Sequence, residues 1–285
     1  MKIILSMMLI LSVATINVIA CENGFLPPND LYIPVGIKSE GGISQDQFNA
    51  VIDKVEKIYS SRVLWKLQKL SIIRKWDDGT VNAFAFRVGP FRQVLMYGGL
   101  ARHSKMTRDG FAMVLCHELG HHLGGAPKNK SVPVIGGLTN EGQSDYFAAL
   151  KCMREFLQDE DNEGFVAKTD IPSSVKDKCE SAHNRKFDSS ICIRTVMAST
   201  SVLDMMVSLG GRPYDLDLFD QDQVISTRHK HPDSQCRMDT FLAGSICEVN
   251  YKEDVDQKDE TVGTCNESTG HKTGLRPRCW FAPEK

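Results

Sequence analysis

Neither sign of charge dominates this chain: 34 lysines and arginines stand against 36 aspartates and glutamates, a formal net charge of −2. Nothing in it forms a basic stripe, so a nucleic-acid partner is excluded. It has no internal repeat and no low-complexity linker. Nine cysteines are present without a single C-x-x-C pair, which argues against a zinc knuckle. After the first twenty residues, no stretch reads as apolar enough to cross a membrane.

What is present begins with an export pattern. Met1-Lys2 precedes an apolar run from Ile3 to Ala20, too short and too close to the N-terminus for a permanent span, so the expectation for 1–20 is a signal peptide. Val18-Ile19-Ala20-Cys21 also has the form of a bacterial lipoprotein box, in which Cys21 is lipidated and anchors the protein to the outer membrane. Ordinary cleavage after Ala20 fits the same letters. The expected location is exported: periplasmic, cell-envelope lipoprotein or secreted. Cysteines in an oxidising compartment pair, and setting Cys21 aside leaves an even number. Cys116 aligns with Leu119 and Leu123, which makes it a buried core thiol rather than a ligand. Cys236, Cys247, Cys265 and Cys279 staple a loop-rich tail in which Glu253 to Glu260 is solvated. The expected division is a signal peptide at 1–20, a main domain at 21–240 and a cysteine-rich C-terminal extension at 241–285 packed on it.

Ser44 and Gln47 form a capping-box pattern ahead of Phe48, Val51, Ile52, Val55, Ile58 and Tyr59, which recur at helical spacing. Leu70 to Trp76, Val81 to Val88 and Gln93 to Tyr97 read as short strands separated by Asp77-Asp78-Gly79 and Gly89-Pro90, a small antiparallel sheet. A helix opened by Thr107 or Asp109 ends at Gly124-Gly125 with Pro127. A second helix runs from Glu141 to about Leu157, and a third from about Thr195 to Leu209 buries Met197, Met205 and Met206.

The first of these helices carries His117-Glu118-Leu119-Gly120-His121. Residues four apart share a helix face, so both imidazoles can converge on one ion while Glu118 faces water bound to it. A zinc site needs a third ligand. The extended pattern H-E-x-x-H-x-x-G-x-x-H is followed as far as Gly124, but Pro127 stands where its last histidine belongs. The other source is a glutamate on a second helix. In Asn140-Glu141-Gly142-Gln143-Ser144-Asp145, Glu141 and Asp145 share a face. Two histidines and one glutamate with an open fourth position make a catalytic zinc arrangement, and Asp145 can accept the remaining N–H of a ligand histidine. The cofactor expected is one Zn²⁺ per chain on His117, His121 and Glu141.

These residues resemble the gluzincin metalloproteases. Asn140 to Asp145 is similar to the N-E-x-x-S-D segment of thermolysin-like enzymes. Three further features resemble the HtpX and CAAX prenyl protease family: the Asn82-Ala83-Phe84-Ala85 strand, Gly98-Gly99-Leu100, and His231-Pro232 with Arg237 six residues after the histidine. Typical members carry several transmembrane helices, a pattern from which this sequence departs, so the resemblance is to a soluble or lipid-anchored branch, with no prenylated substrate expected. It implies an α+β zincin-like fold with a small antiparallel sheet, an H-E-x-x-H helix, a second ligand-bearing helix and a disulfide-rich C-terminal segment. It also implies an edge strand holding the substrate backbone above the metal, for which Gln93 to Tyr97 is the candidate. His231 is the candidate donor to the developing oxyanion, with His229 as substitute, and Arg237 anchors its loop through a carboxylate. His122 is structural.

The expected function is an exported zinc endopeptidase acting on protein or peptide, with Glu118 as general base. Two alternatives stay open: a zinc hydrolase of peptidoglycan peptides, and a zinc-binding chaperone-like protein without turnover.

Overall fold

Gln47 N–H donates to Ser44 Oγ at 3.2 Å and Ser44 N–H to Gln47 Oε1 at 3.0 Å, the reciprocal pair of a capping box. The computed structural model in which these bonds occur describes residues 18–19, 24–37, 41–64, 68–131 and 137–283. Cys21 and the leader up to residue 17, on which the export and lipidation expectations rest, lie outside the described residues. The helix opened by Ser44, α1 (Gln45–Leu64), buries Phe48, Val51, Ile52, Val55 and Tyr59 in the main core.

The four-stranded sheet has the order β1 (Val18–Ile19), β3 (Ala83–Val88), β4 (Phe91–Tyr97), β2 (Lys69–Lys75). β3 and β4 form an antiparallel hairpin, whereas β2 runs parallel to β4 from Lys69 opposite Phe91 to Lys75 opposite Tyr97. The sheet is therefore mixed, not antiparallel. After β2 the chain passes over a strand position before returning as β3, which leaves space for β4 between them and fixes β4 parallel to β2. A second correction follows. β4 is an inner strand with both sides of its backbone engaged, so Gln93 to Tyr97 cannot offer an open edge to an extended peptide.

After α2 (Gly98–Arg102), α3 (Arg108–Leu123) runs through the centre and packs on α1, α4 and α8. Phe111 to Cys116 and Leu119 are all buried, the composition of a helix covered on every side. A short hairpin of β5 (Lys128–Asn129) and β6 (Leu138–Thr139) leads to α4 (Glu141–Phe147). That helix continues through a π-helical turn, Ala148–Cys152, into α5 (Met153–Phe156). Among the described residues the further α-helices are α6 (Asn162–Lys168), α7 (Ser173–Ala182), α8 (Lys186–Ser208) and α9 (Ser234–Ile246). α8 begins earlier than its methionines suggest. By length and composition it is apolar enough to cross a membrane, contrary to the sequence reading, but 78% of its most apolar window is buried inside the fold.

Four disulfides close the structure: Cys116–Cys152, Cys179–Cys192, Cys236–Cys279 and Cys247–Cys265. Cross-links of this kind stabilise by roughly 2–4 kcal/mol each, and they belong to an oxidising compartment. Cys116 is buried as expected but is not a free thiol: Cys152, at the end of the π-helical turn, is bonded to it. The resulting bond joins α3 to the helical stretch that begins with Glu141.

Candidate metal centre

Thr107 caps α3 by accepting the Gly110 N–H on Oγ1 at 3.0 Å, and Gly124 closes the helix. One turn apart on it, His117 and His121 are buried with their rings at 89° and centroids 4.8 Å apart. His117 Nδ1–H donates to Asp145 Oδ1 at 2.6 Å, and His121 Nδ1–H donates to the Thr139 carbonyl at 2.9 Å. Those acceptors assign the tautomers and leave both Nε2 lone pairs for a cation. Glu141 enters from the first turn of α4, whose cap Asn140 accepts Gln143 N–H at 2.9 Å. Its Oε2 lies 3.2 Å from His117 Nε2 and 3.6 Å from His121 Nε2. The approach of α4 to α3 depends on Gly120, where a Cβ would meet Ser144 Cα at 2.9 Å.

The three ligand atoms lie within 4.8 Å of one another. His117 Nε2, both Glu118 oxygens and His231 Nε2 are buried yet complete no hydrogen bond. Buried polar atoms are almost always satisfied, so this cluster calls for a cation. Two imidazoles and a carboxylate are a donor set that suits zinc. The other group of ligand-type residues found among those described, Asp220 with Cys236 and Cys279, has its sulfurs joined in a disulfide.

Electrostatics divide the cluster by partner. Burial pulls the His117 imidazole down, but the Asp145 carboxylate against it reverses the effect and raises it to about 9. Behind His121 stand the Thr139 carbonyl and the Ser144 hydroxyl, 3.1 Å from Nδ1, and burial lowers the imidazole to about 4, so it stays neutral at neutral pH. Burial pushes Glu141 up, but the surrounding imidazoles hold it well below the usual carboxylate range. Glu118 lacks comparable partners, and burial raises it to about 8.

Asp145 faces both ways. Arg237 on α9 donates from Nε to Oδ2 at 2.8 Å and from Nη2 to Oδ1 at 2.7 Å, forming a bidentate buried pair behind His117. The guanidinium lies 4.5 Å from the Phe25 ring centroid, and that ring stands edge-on to His117 at 4.8 Å. Phe25 is fully buried, donates its N–H to the Ala83 carbonyl at 3.0 Å, and is followed by Leu26, whose N–H donates to Asn82 Oδ1 at 3.0 Å. Sequence reading passed over Phe25. A lone aromatic in a Pro-rich entry carries no periodic signal, and only its pairing with β3 brings it here.

His231 lies on the loop between α8 and α9 with Nε2 3.0 Å from Glu141 Oε2 and its ring nearly parallel to His117. It is this histidine, rather than His229, that reaches the ligand carboxylate among the described residues. His122 faces away from the cluster and donates from Nε2 to the Gln93 carbonyl at 3.0 Å, while Arg92 donates to the His122 carbonyl. Those two bonds tie the end of α3 to β4.

Residues 46–168 match the model of peptidase family M48. No curated protein and no solved structure matches the chain. The matched stretch includes His117, Glu118, His121, Glu141 and Asp145; His231, Arg237 and Phe25 lie outside it.

Proposed function

We propose that this chain, whose residues 46–168 match the model of peptidase family M48 and whose His117, His121 and Glu141 converge, is an exported zinc endopeptidase. The observation that carries the reading is the convergence of three buried ligand atoms beside a buried carboxyl, Glu118, with no hydrogen-bond partner. His117, His121 and Glu141 would hold zinc, which would supply an activated water, its pKa lowered from about 16 toward 7, and an electrophile for the scissile carbonyl. Glu118, a buried carboxyl with no hydrogen-bond partner, would take the proton of that water and return it to the leaving amine. His231 Nε2 donates to the oxygen on which charge develops. Asp145, held by Arg237, fixes the His117 ring and its tautomer. The product is a cleaved peptide bond.

The disulfides favour an exported setting, and within it Cys21 is the proposed site of cleavage and lipid attachment. Peptidoglycan peptides remain the second substrate class, because the envelope location suits them. Purified protein incubated with unfolded polypeptides and with cell-wall peptides, before and after chelation, tests the reading. Zinc-restorable cleavage of the polypeptides supports it. Full activity in a verified zinc-free sample overturns it.

A further inference from the structure

Between α8 and α9 the chain has no helix or strand, yet it brings His231 to within 3.0 Å of a carboxylate on α4. Backbone without a ladder of its own is held by what it docks on. The earlier part of the loop is held by α7, α8 and α9; for residues 224–228 the dock is the C-terminal segment. Val224 N–H donates to the Arg278 carbonyl at 2.9 Å and Arg228 N–H to the Trp280 carbonyl at 2.8 Å. Thr227 Oγ1 donates to the Ala282 carbonyl at 3.0 Å and accepts Ala282 N–H at 3.1 Å. From the other side, Asn140 at the cap of α4 donates from Nδ2 to the Arg228 carbonyl at 3.0 Å.

Trp280 anchors this strap. Its side chain is completely buried, and its indole lies so close to Gly142, the residue after Glu141, that a Cβ there would sit 2.2 Å from the ring. Indole Nε1 donates to Thr240 Oγ1 at 2.9 Å on α9, one turn beyond Arg237. The preceding residue, Cys279, is bonded to Cys236, the neighbour of Arg237. One residue thus touches the elements that carry Glu141, His231 and Arg237.

We propose that Trp280 is a positioning residue of the metal centre. Its ring sets the height of the strap above α4, and its carbonyl passes that height to the His231 loop. The C-terminal segment is thereby a working part of the site. Any effect on turnover rests on the peptidase reading; effects on metal binding do not.

The test uses the full chain with Trp280→Ala, Trp280→Phe, Gly142→Ala and the double variant Gly142→Ala/Trp280→Ala. Folding is followed by thermal unfolding, zinc affinity by competition with a chromophoric chelator, and coordination geometry by the visible absorption of the cobalt-substituted protein. In folded protein, Trp280→Ala and Gly142→Ala each weaken zinc by about tenfold or more and shift the cobalt bands, the scale seen when a ligand's support is removed. Trp280→Phe keeps most of the ring and recovers most of the affinity. The double variant is no worse than Trp280→Ala alone, because the space left by the indole admits the new methyl group.

Unchanged affinity and cobalt spectrum in folded Trp280→Ala overturn the proposal, as does a loss that only follows the unfolded fraction. If Trp280→Ala does not fold, Gly142→Ala and Trp280→Phe decide by the same measurements. A wild-type protein that binds zinc but cleaves no peptide would remove the peptidase reading and leave this test intact.

Discussion

Asp145 Oδ1 lies 2.6 Å from His117 Nδ1 at the back of the metal cluster. Both residues are buried, and the same carboxylate is gripped by Arg237. With Asp145→Asn the amide can still face His117, but the charge that holds the ligand imidazole is gone and Arg237 loses its counter-ion. Zinc affinity should fall about 10- to 100-fold. Because a buried guanidinium left unpaired costs roughly 3–5 kcal/mol, the unfolding temperature should fall as well. Chelator competition together with calorimetry checks both; unchanged zinc affinity would mean that Asp145 serves only the fold.

Glu118 and Glu141 should separate cleanly. Glu118→Gln keeps the shape of the side chain and all three ligand atoms, so zinc content should stay near wild type while turnover falls by several orders of magnitude. Glu141→Ala removes a ligand and should lower metal content itself. Zinc analysis alongside peptide cleavage distinguishes the two, and equal metal loss in both would show the roles to be misassigned.

His231→Ala should affect kcat far more than KM, since a donor to the developing oxyanion acts most strongly in the transition state. Loss of one such donor costs about 3–4 kcal/mol, or roughly a hundredfold to a thousandfold in rate. Steady-state kinetics with parallel zinc analysis is the measurement. Near-normal turnover would move the role to another group, with His229 the first to try; loss of zinc would make His231 a ligand.

Lys151 gives a pH-dependent prediction away from the metal. Burial lowers its ammonium to about 8, although Nζ donates to the Asn250 carbonyl at 2.8 Å. In the unfolded chain a lysine titrates near 10.4. The folded form therefore binds the proton more weakly, and the resulting penalty is full below about pH 8 and disappears as pH rises through about 10.4. Lys151→Met should stabilise the protein by roughly 1–3 kcal/mol at pH 7, less the lost hydrogen bond, and by much less at pH 10. Denaturant unfolding at both pH values decides, and an equal effect at both would show that packing rather than charge is responsible.

The natural protein should begin at Cys21 and carry its remaining cysteines as disulfides. Intact mass with and without reductant reads both properties, and a lipid adduct appears in the same spectrum. A chain beginning at Met1 with free thiols would contradict the export reading.

The metal centre was legible in the sequence wherever its chemistry is local. The spacing of His117 and His121 follows from 3.6 residues per helical turn, and the cap at Thr107 and the stop at Gly124 depend on neighbours a few residues away. Pro127 eliminated one ligand pattern by its chemistry alone, and Glu141 with Asp145 was marked by shared helical register. Tertiary structure decided the rest, because those relationships join residues distant in the chain through surfaces that no short-range periodicity records. The parallel pairing of β2 with β4 depends on which strand position the chain skips, a choice invisible in strands of similar composition. Cys116 meets Cys152, at the end of a π-helical turn, across 36 residues of chain. Phe25 and Trp280 reach the centre from near the N-terminus and from the C-terminal segment, each held there by long-range hydrogen bonds and close packing, whereas His231 was marked in the sequence by its resemblance to a family element. Helical periodicity could mark His117, His121 and Glu141 as candidate ligands; only three-dimensional packing could show what holds them and what stands over them.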